Sequence, residues 1–332
     1  MTSAKRIALP LGLALCVAVA RAADPATLEL VQTIDWTGAV GRLDHMALDA
    51  KGNRLFVANL SNDTLDVIDL KAGRVVKQIP GQTKVEGVAY AADLDRVFVG
   101  VGGAGVCNCF DGKTLELLHS VKLPEADNVR YHPGTRRVYV GHADKSISAI
   151  DAQTGTVLAT VALPGPVEAF QLDPTKPRLY VNVLSPSRVV VVDTETNAIR
   201  EQFSLTKAAA NYPLALDGSG NRLFAGCRKG PMVEVLDLAT GKELATVAIP
   251  GDVDDLFFDA KRQRLYATCG EGFIAVIAAK GGDNYEVVET VATAKLARTG
   301  LFDAEGGRLF VVLPRQATTA GPSLRVYRPQ PR

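Results

Sequence analysis

The segment Arg54-Leu55-Phe56-Val57 has the pattern that decides the fold: an arginine, a branched apolar residue, an aromatic residue, then valine or alanine. Six more copies follow: Arg96-Val97-Phe98-Val99, Arg137-Val138-Tyr139-Val140, Arg178-Leu179-Tyr180-Val181, Arg222-Leu223-Phe224-Ala225, Arg264-Leu265-Tyr266-Ala267 and Arg308-Leu309-Phe310-Val311. Successive arginines lie 42, 41, 41, 44, 42 and 44 residues apart. Such even spacing indicates a chain built from seven structural repeats.

Each repeat has the composition of four short strands. In the first repeat, Met46-Ala47-Leu48 precedes a turn, the arginine-led segment follows, and a third apolar stretch ends at Val67-Ile68-Asp69. Apolar residues at period two, bounded by Gly, Asp and Asn, predict strands and hairpins. Four short strands in ~40–45 residues are typical of one propeller blade. The sequence therefore predicts an all-β fold, a seven-bladed β-propeller with essentially no helix.

The two ends of the chain predict how the ring closes. The seventh repeat supplies three strands, the third near Ser323 to Tyr327, and then the chain ends. Residues 28–34, before the first repeat, resemble the fourth strand of the sixth repeat at 285–291. Because an open ring would leave unpaired sheet edges, we expect the N-terminal strand to complete the last blade.

Three of the repeats also carry a recognisable tetrad. Tyr139-Val140-Gly141-His142, Tyr180-Val181-Asn182-Val183 and Phe56-Val57-Ala58-Asn59 resemble the YVTN repeat of bacterial YncE-like seven-bladed propellers. The resemblance follows the repeat's pattern, since no copy reads YVTN, and it covers nearly the whole chain after the leader. It implies the propeller fold and leaves the activity open, because propellers host unrelated functions.

The first 22 residues have the features of a secretory signal peptide. Lys5 and Arg6 precede an apolar run from Ile7 to Ala20, and Ala20-Arg21-Ala22 suits a small-x-small cleavage site. We expect residues 1–22 to be removed and residues 23–332 to form a single propeller domain. Cys16 follows Leu15 where lipoprotein processing needs a small residue, so a soluble periplasmic or secreted protein is expected.

Composition excludes several classes of function. The chain has 332 residues, 47% of them hydrophobic and 22% charged, which is typical of a globular protein. Its net charge of +1 gives no footprint for nucleic acid or anionic membrane, and after the leader no apolar run is long enough to span a bilayer. We expect a monomer whose partner is a small polar ligand or a protein at one face of the propeller.

One position of the repeat breaks the apolar pattern. Two and four residues after it, the innermost strand carries apolar side chains that we expect in the core. The position itself, which we call the ring position, reads Asp44, Glu86, Asp127, Glu168, Tyr212, Asp254 and Arg298. Seven-fold geometry directs these side chains at one axis, and we expect their carboxylates to raise one another's pKa values.

The acidic ring predicts a binding site at the mouth of the central funnel. Converging carboxylates suit hard cations that prefer oxygen ligands, so Asp44, Glu86, Asp127, Glu168 and Asp254 are candidate ligands of a divalent cation such as Ca²⁺. The remaining candidates bind a small polar or cationic ligand: His45, Asn128, Tyr212, Asp255 and Arg298. Arg298 is the only counter-charge within the ring. The alternative is a ring of hydrated loop residues without a ligand.

Other candidate motifs have structural explanations. Asp49, Asp173, Asp217, Asp259 and Asp303 recur at the opposite end of the first strand, where they would cap turns. His142, Cys227 and Cys269 lie on separate blades, too far apart for one zinc ion, and Cys107, Cys109, Cys227 and Cys269 are expected to be unpaired. Gly100 to Gly105 match a dinucleotide motif but precede a strand where that motif needs a helix.

Three classes of function remain open. The first is a binding or interaction protein without catalysis, favoured because no motif carries a nucleophile. The second is a metal-dependent hydrolase or lyase, by architectural analogy with gluconolactonase-type propellers that hold a metal in a comparable funnel. The third is a redox accessory subunit of the quinoprotein type, for which the sequence contains no cofactor-attachment motif.

Overall fold

The computed structural model describes residues 26–39, 41–316, 318–319 and 321–331. The expected signal peptide, residues 1–22, lies outside these ranges, as does Cys16. Within them the fold consists of twenty-eight strands and one short 3-10 turn at Leu60–Asn62. Seven separate four-stranded antiparallel sheets make up seven blades, so the predicted all-β, seven-bladed propeller is confirmed.

In blades 1 to 6, the four strands occur along the chain in order from the innermost to the outermost position. Strand β1 is Leu28–Asp35. Blades 1 to 3 comprise β2–β5 (Met46–Asp49, Arg54–Asn59, Thr64–Asp69, Arg74–Ile79), β6–β9 (Val85–Ala91, Arg96–Val101, Val106–Asp111, Leu117–Lys122) and β10–β13 (Ala126–His132, Arg137–His142, Ser146–Asp151, Val157–Ala162). Blades 4 and 5 comprise β14–β17 (Val167–Leu172, Arg178–Val183, Arg188–Asp193, Ile199–Ser204) and β18–β21 (Ala209–Asp217, Arg222–Lys229, Met232–Asp237, Glu243–Ala248). Blade 6 is β22–β25 (Val253–Asp259, Arg264–Cys269, Phe273–Ala279, Tyr285–Ala292), and blade 7 contains β26–β28 (Gly300–Asp303, Arg308–Leu313, Ser323–Pro329).

The N-terminal strand closes the ring, as predicted. β1 pairs antiparallel with β28, with Ile34 opposite Leu324, and so becomes the outermost strand of blade 7. Ile34 and Leu28 are 1% and 4% exposed, which anchors the strand in the core at both ends. Blade 7 is therefore built from strands that are far apart in sequence. Without β1, the outer edge of β28 would be unpaired.

The hydrophobic core is divided into seven clusters, one between each pair of neighbouring blades. Blades 7 and 1, for example, share a cluster that includes Ile34, Met46 and Phe310. The apolar positions two residues after the ring position are buried in all seven blades, as expected, whereas those four residues after it are only partly buried. Because every blade interface has its own core, the ring of innermost strands is held in place all the way round.

Among the described residues, the repeated arginine of four blades donates to a carbonyl oxygen of the next blade. Arg54 donates to the carbonyl oxygen of Gly112 at 2.7 Å, Arg137 to that of Thr194 at 2.7 Å and Arg264 to that of Gln330 at 2.9 Å. Each acceptor lies in the next blade, at or beyond the end of its third strand. The arginine therefore recurs because it satisfies a carbonyl across a blade interface.

The recurring aspartates at the far end of the first strand cap turns, as predicted. Asp49 and Asp303 each accept a backbone N–H from the glycine three residues later, at 2.8 and 2.9 Å. They also pair with Arg54 and Arg308. Asp259 pairs with Arg262 instead of the repeated arginine. The expected pairing across the turn thus holds in some blades only.

Two further expectations concern the cysteines and the membrane. Cys107, Cys109, Cys227 and Cys269 are buried and unpaired, and burial raises the pKa of each thiol, to about 11 for Cys109 and about 12 for the others. Within the described ranges, no helix has the length and apolar character needed to cross a membrane.

Candidate functional site

All seven ring positions line one cavity of about 200 Å³ at the mouth of the central funnel. The cavity is completed by Arg42, His45, Asn128 and Arg228. Asp255 lies deeper and, together with His45, lines a second cavity of about 460 Å³ nearer the opposite end of the axis. The structure thus brings nine of the ten candidate residues to one cavity and places the tenth directly beneath it.

A repeated β-bulge aims the ring side chains at the axis. In blade 2 the pairing between β6 and β7 shifts between Val85 and Val88, so Glu86 lies in the irregular segment. Blades 3, 4, 5 and 6 have the same shift around Asp127, Glu168, Tyr212 and Asp254. Bulges redirect side chains and are common beside functional sites, which explains why this position escapes the apolar alternation of the strand.

One half of the ring is balanced by arginines. Arg298 donates to both carboxylate oxygens of Asp252, at 2.7 and 2.8 Å, and its Nε lies 3.1 Å from Asp254. Arg228 also pairs with Asp254, and its Nε lies 3.3 Å from Asp252. Arg298 is the basic residue of the ring position itself, and Arg228 adds a second counter-charge from the second strand of blade 5.

A third arginine, Arg42, balances the ring carboxylate of blade 1. Arg42 forms an ion pair with Asp44, and its Nη2 is 3.7 Å from Oε1 of Glu86. Burial opposes the positive charge of Arg42, but the nearby Asp44 outweighs it, so the pKa of Arg42 is raised. Three arginines thus face three aspartates: Arg42, Arg228 and Arg298 against Asp44, Asp252 and Asp254.

The other half of the ring carries carboxylates without this compensation. Among the described residues, Asp127 and Glu168 have no ion pair within 4.0 Å, and Glu86 has only the 3.7 Å contact with Arg42. Burial is the largest cause that raises the pKa of each of the three, followed by a neighbouring carboxylate. For Glu168 the pKa rises to about 7. We call Glu86, Asp127 and Glu168 the acidic rim.

Asn128 adds an unpaired acceptor to the acidic rim. Its side chain is buried, with 3% of the residue exposed, and its Nδ2 faces Oδ1 of Asp127 at 3.5 Å. Its own Oδ1 has no hydrogen-bond partner within the described part of the chain. A buried acceptor without a donor is costly, so a ligand donor that reaches this enclosed atom after a rotation of the side chain would be stabilising.

The acidic rim separates the funnel cavity from a side cavity of about 240 Å³ over blades 2 to 4. The residues common to both cavities are Glu86, Asp127, Asn128 and Glu168. Beyond them the side cavity has a partly apolar wall of Gly141, Ala143, Pro166 and Val167, and a polar side lined by Lys84, Glu125 and His142. A ligand at the rim therefore has space on two sides.

A second layer of ionisable groups lies below the rim. His45 has Asp44 at 3.8 Å on one side and Asp255 at 3.9 Å on the other. Burial lowers the pKa of His45 and raises that of Asp255 well above its usual range. Asp255 accepts a hydrogen bond from the backbone N–H of Gly300 at 2.8 Å, which fixes its carboxylate. His45 lines both the funnel cavity and the deeper cavity, whereas Asp255 lines the deeper one.

The ring carboxylates are spread around the lining of the funnel cavity. Among the residues that the structure describes, no three His, Cys, Asp or Glu side chains form a group that could hold one. The imidazole of His142 contacts Ser148 at 2.9 Å and Asp144 at 2.9 Å. The donor set therefore suits a larger ligand that spans several carboxylates.

Arg42, Arg228 and Asp252 are the site residues that sequence reasoning missed. Arg42 and Asp252 lie two positions before the ring position, and Arg228 lies near the end of the second strand of its blade. In other repeats the position of Arg228 holds small or apolar residues such as Gly102, Ala143 and Leu184. A lone arginine at this otherwise uncharged position was the available signal.

Comparison with known proteins supports the family resemblance. The chain is 24% identical over 313 residues to the uncharacterized protein YncE of Salmonella typhimurium strain LT2, covering 89% of this chain and 74% of the relative. The uncharacterized protein YncE of Salmonella typhi matches with the same identity and coverage. No family model matches the sequence. Together with the seven blades, these matches confirm the predicted likeness to YncE-like propellers.

Proposed function

We propose that this YncE-like seven-bladed propeller is a periplasmic or secreted binding protein that holds a small cationic or polar ligand in its central funnel. The observation that carries this proposal is the charge imbalance of the ring. Three arginines offset three aspartates, while in the acidic rim, among the described residues, only Glu86 has an arginine within 4.0 Å. A cation at the rim would relieve the mutual repulsion of its carboxylates.

A binding function without catalysis agrees with the chemistry of the site. The funnel cavity is lined by carboxylates, arginines, a histidine, an asparagine and a tyrosine. Its carboxylates are spread around the axis, and the described residues offer no compact metal shell. The hydrolase alternative needs a compact set of metal ligands to activate water. Ligand binding without catalysis is therefore the better supported function.

The test is thermal stabilisation by defined classes of small molecule at pH 8, where the rim is most ionised. The panel contains CaCl₂, primary and quaternary ammonium ions, neutral sugars and organic acids. Glu86→Gln/Glu168→Gln removes two rim charges at nearly constant size. Glu195→Gln removes one charge from an exposed turn at the opposite end of blade 4 and serves as the matched control.

We expect at least one cationic or neutral polar compound to raise the melting temperature of the wild type and the control. The double variant should lose that response, while its melting temperature without ligand should rise because repulsion falls. An absence of any shift in the wild type would overturn the proposal, as would an undiminished shift in the double variant.

A further inference from the structure

We propose that the ligand of the funnel is a primary aliphatic ammonium ion, with its head on the acidic rim and Asn128 and its carbon chain in the side cavity. This inference rests on the proposed binding function and names the chemical class of the ligand. It depends on which atoms at the rim lack partners and on where the neighbouring space lies.

The head group is defined by a set of acceptors. Within the described part of the chain, the residues common to the linings of the funnel cavity and the side cavity are Glu86, Asp127, Glu168 and Asn128. Nδ2 of Asn128 faces Asp127, which leaves Oδ1 as an unpaired, buried acceptor. A group at this place meets oxygen acceptors and negative charge. A primary ammonium carries three donors and one positive charge, so it complements both.

A bare metal ion and a quaternary ammonium complement the rim less well. A metal ion needs its oxygens within about 2.3–2.6 Å of one point, and the described carboxylates form no such group. A quaternary ammonium has charge but no N–H, so it leaves Oδ1 of Asn128 without a donor. The ammonium reaches separate acceptors at ordinary hydrogen-bond distances.

The side cavity has room and chemistry for the chain. At about 240 Å³, it equals the liquid volume of about eight water molecules, at ~30 Å³ each. Pro166, Val167, Gly141 and Ala143 give it a partly apolar wall, while Lys84, which pairs with Glu125, and His142 line its polar side. The funnel cavity on the other side of the rim is lined mostly by charged and polar side chains. A methylene chain is therefore better accommodated over blade 3 than on the axis.

Calorimetry with two matched ligands tests the head group. Butylammonium and butyltrimethylammonium share the chain and the charge, but only the first has N–H donors. Asn128→Leu removes the acceptor at similar size. We expect butylammonium to bind the wild type at least tenfold more tightly than butyltrimethylammonium. Asn128→Leu should weaken butylammonium at least tenfold and leave butyltrimethylammonium unchanged. Equal binding of the two ligands, or indifference of butylammonium to Asn128→Leu, would overturn the assignment.

A homologous series tests the chain. From ethylammonium to butylammonium, affinity should rise by about fourfold per methylene, which corresponds to the ~0.8 kcal/mol for burying one CH₂. Ala143→Leu should fill the side cavity and remove this rise without weakening ethylammonium. Affinities that do not depend on chain length in the wild type would place the chain in solvent and contradict the inference.

The outcomes separate this inference from the function on which it rests. If butylammonium fails to bind but a different cation or a neutral polar compound stabilises the wild type through Glu86 and Glu168, the ligand class is wrong and the proposed function stands. If nothing in the panel stabilises the wild type, both are wrong.

Discussion

Arg228 lies over the ring of Tyr212, with its Cζ 3.4 Å from the ring centroid. This contact explains why blade 5 departs from the acidic pattern of the ring. The aromatic ring supports the guanidinium that pairs with Asp254, while the Nε of Arg228 donates to the carbonyl oxygen of Val253 at 2.8 Å. Tyr212 therefore contributes to the arginine-balanced half of the funnel, because its ring positions the guanidinium of Arg228.

Removing the aromatic ring should destabilise the protein. Tyr212→Leu takes away a cation–π contact, which is worth about 0.5–2 kcal/mol depending on its solvation. We expect the free energy of unfolding in urea to fall by about that amount. Tyr212→Phe keeps the ring and is the control, with little expected change. Equal losses in the two variants would show that the hydroxyl matters and the ring does not.

The N-terminal strand should contribute to stability through its buried side chain Ile34. Ile34 is 1% exposed and packs in the cluster between blades 7 and 1, so Ile34→Ala should cost about 2–5 kcal/mol. Val31, on the same strand, is 37% exposed, and Val31→Ala should cost far less. Equilibrium unfolding of both variants measures the difference. Similar small effects would mean that closure by β1 adds little.

The raised pKa of Glu168 predicts that the free energy of unfolding falls as the pH rises. Burial and the Asp254 carboxylate raise the pKa of Glu168 from 4.5 to about 7, and Arg228, Asp44 and Glu86 also act on it. Between these values the folded state binds more protons than the unfolded state. Its stability must therefore fall as the pH rises from 4.5 to 7, and this contribution is constant above that range.

Glu168→Gln should remove this component of the pH dependence. Relative to the wild type, the variant should gain stability of order 1–3 kcal/mol at pH 8, since one pKa unit corresponds to about 1.4 kcal/mol. At pH 4 the two proteins should differ little. Urea unfolding at both pH values measures the effect, with Glu195→Gln as control. A variant that is less stable than the wild type at pH 8 would contradict the interpretation.

The cysteines should react only after unfolding. Cys107, Cys109, Cys227 and Cys269 are unpaired and buried, and burial raises the pKa of each thiol. The thiolate is the reactive form, so the native protein should react slowly with a thiol reagent at pH 8. In denaturant without reductant, mass spectrometry should find all four modified. Fewer modified thiols would indicate a disulfide.

Much of the molecule could be predicted from the repeat alone. The arginine-led segment fixed the blade count and the register, and that register placed Asp44 through Arg298 at one axis. Arg42, Arg228 and Asp252 could not be assigned in this way, because their pairings join different blades or positions outside the strand. Arg298 meets Asp252 across 46 residues of chain, a contact that depends on how neighbouring blades pack.

The unpaired Oδ1 of Asn128 also lay beyond sequence reasoning. The sequence indicates an amide beside Asp127, but whether its oxygen finds a donor depends on the orientation of the side chain in the bulge. The side cavity behind it is formed by residues from three blades. Both features arise from packing between repeats, and the repeat pattern describes only what happens within one.

The most direct test of the central claim is the number of protons released when butylammonium binds near pH 6.5. Calorimetry in two buffers with different ionisation enthalpies gives this number. The rim carboxylates have raised pKa values before binding, and a bound cation should favour their ionised form. We expect a measurable release of protons that Glu86→Gln/Glu168→Gln reduces, since only Asp127 of the rim keeps its carboxylate. Binding with the same heat in both buffers would mean that the cation does not lie on the acidic rim, and would contradict the account.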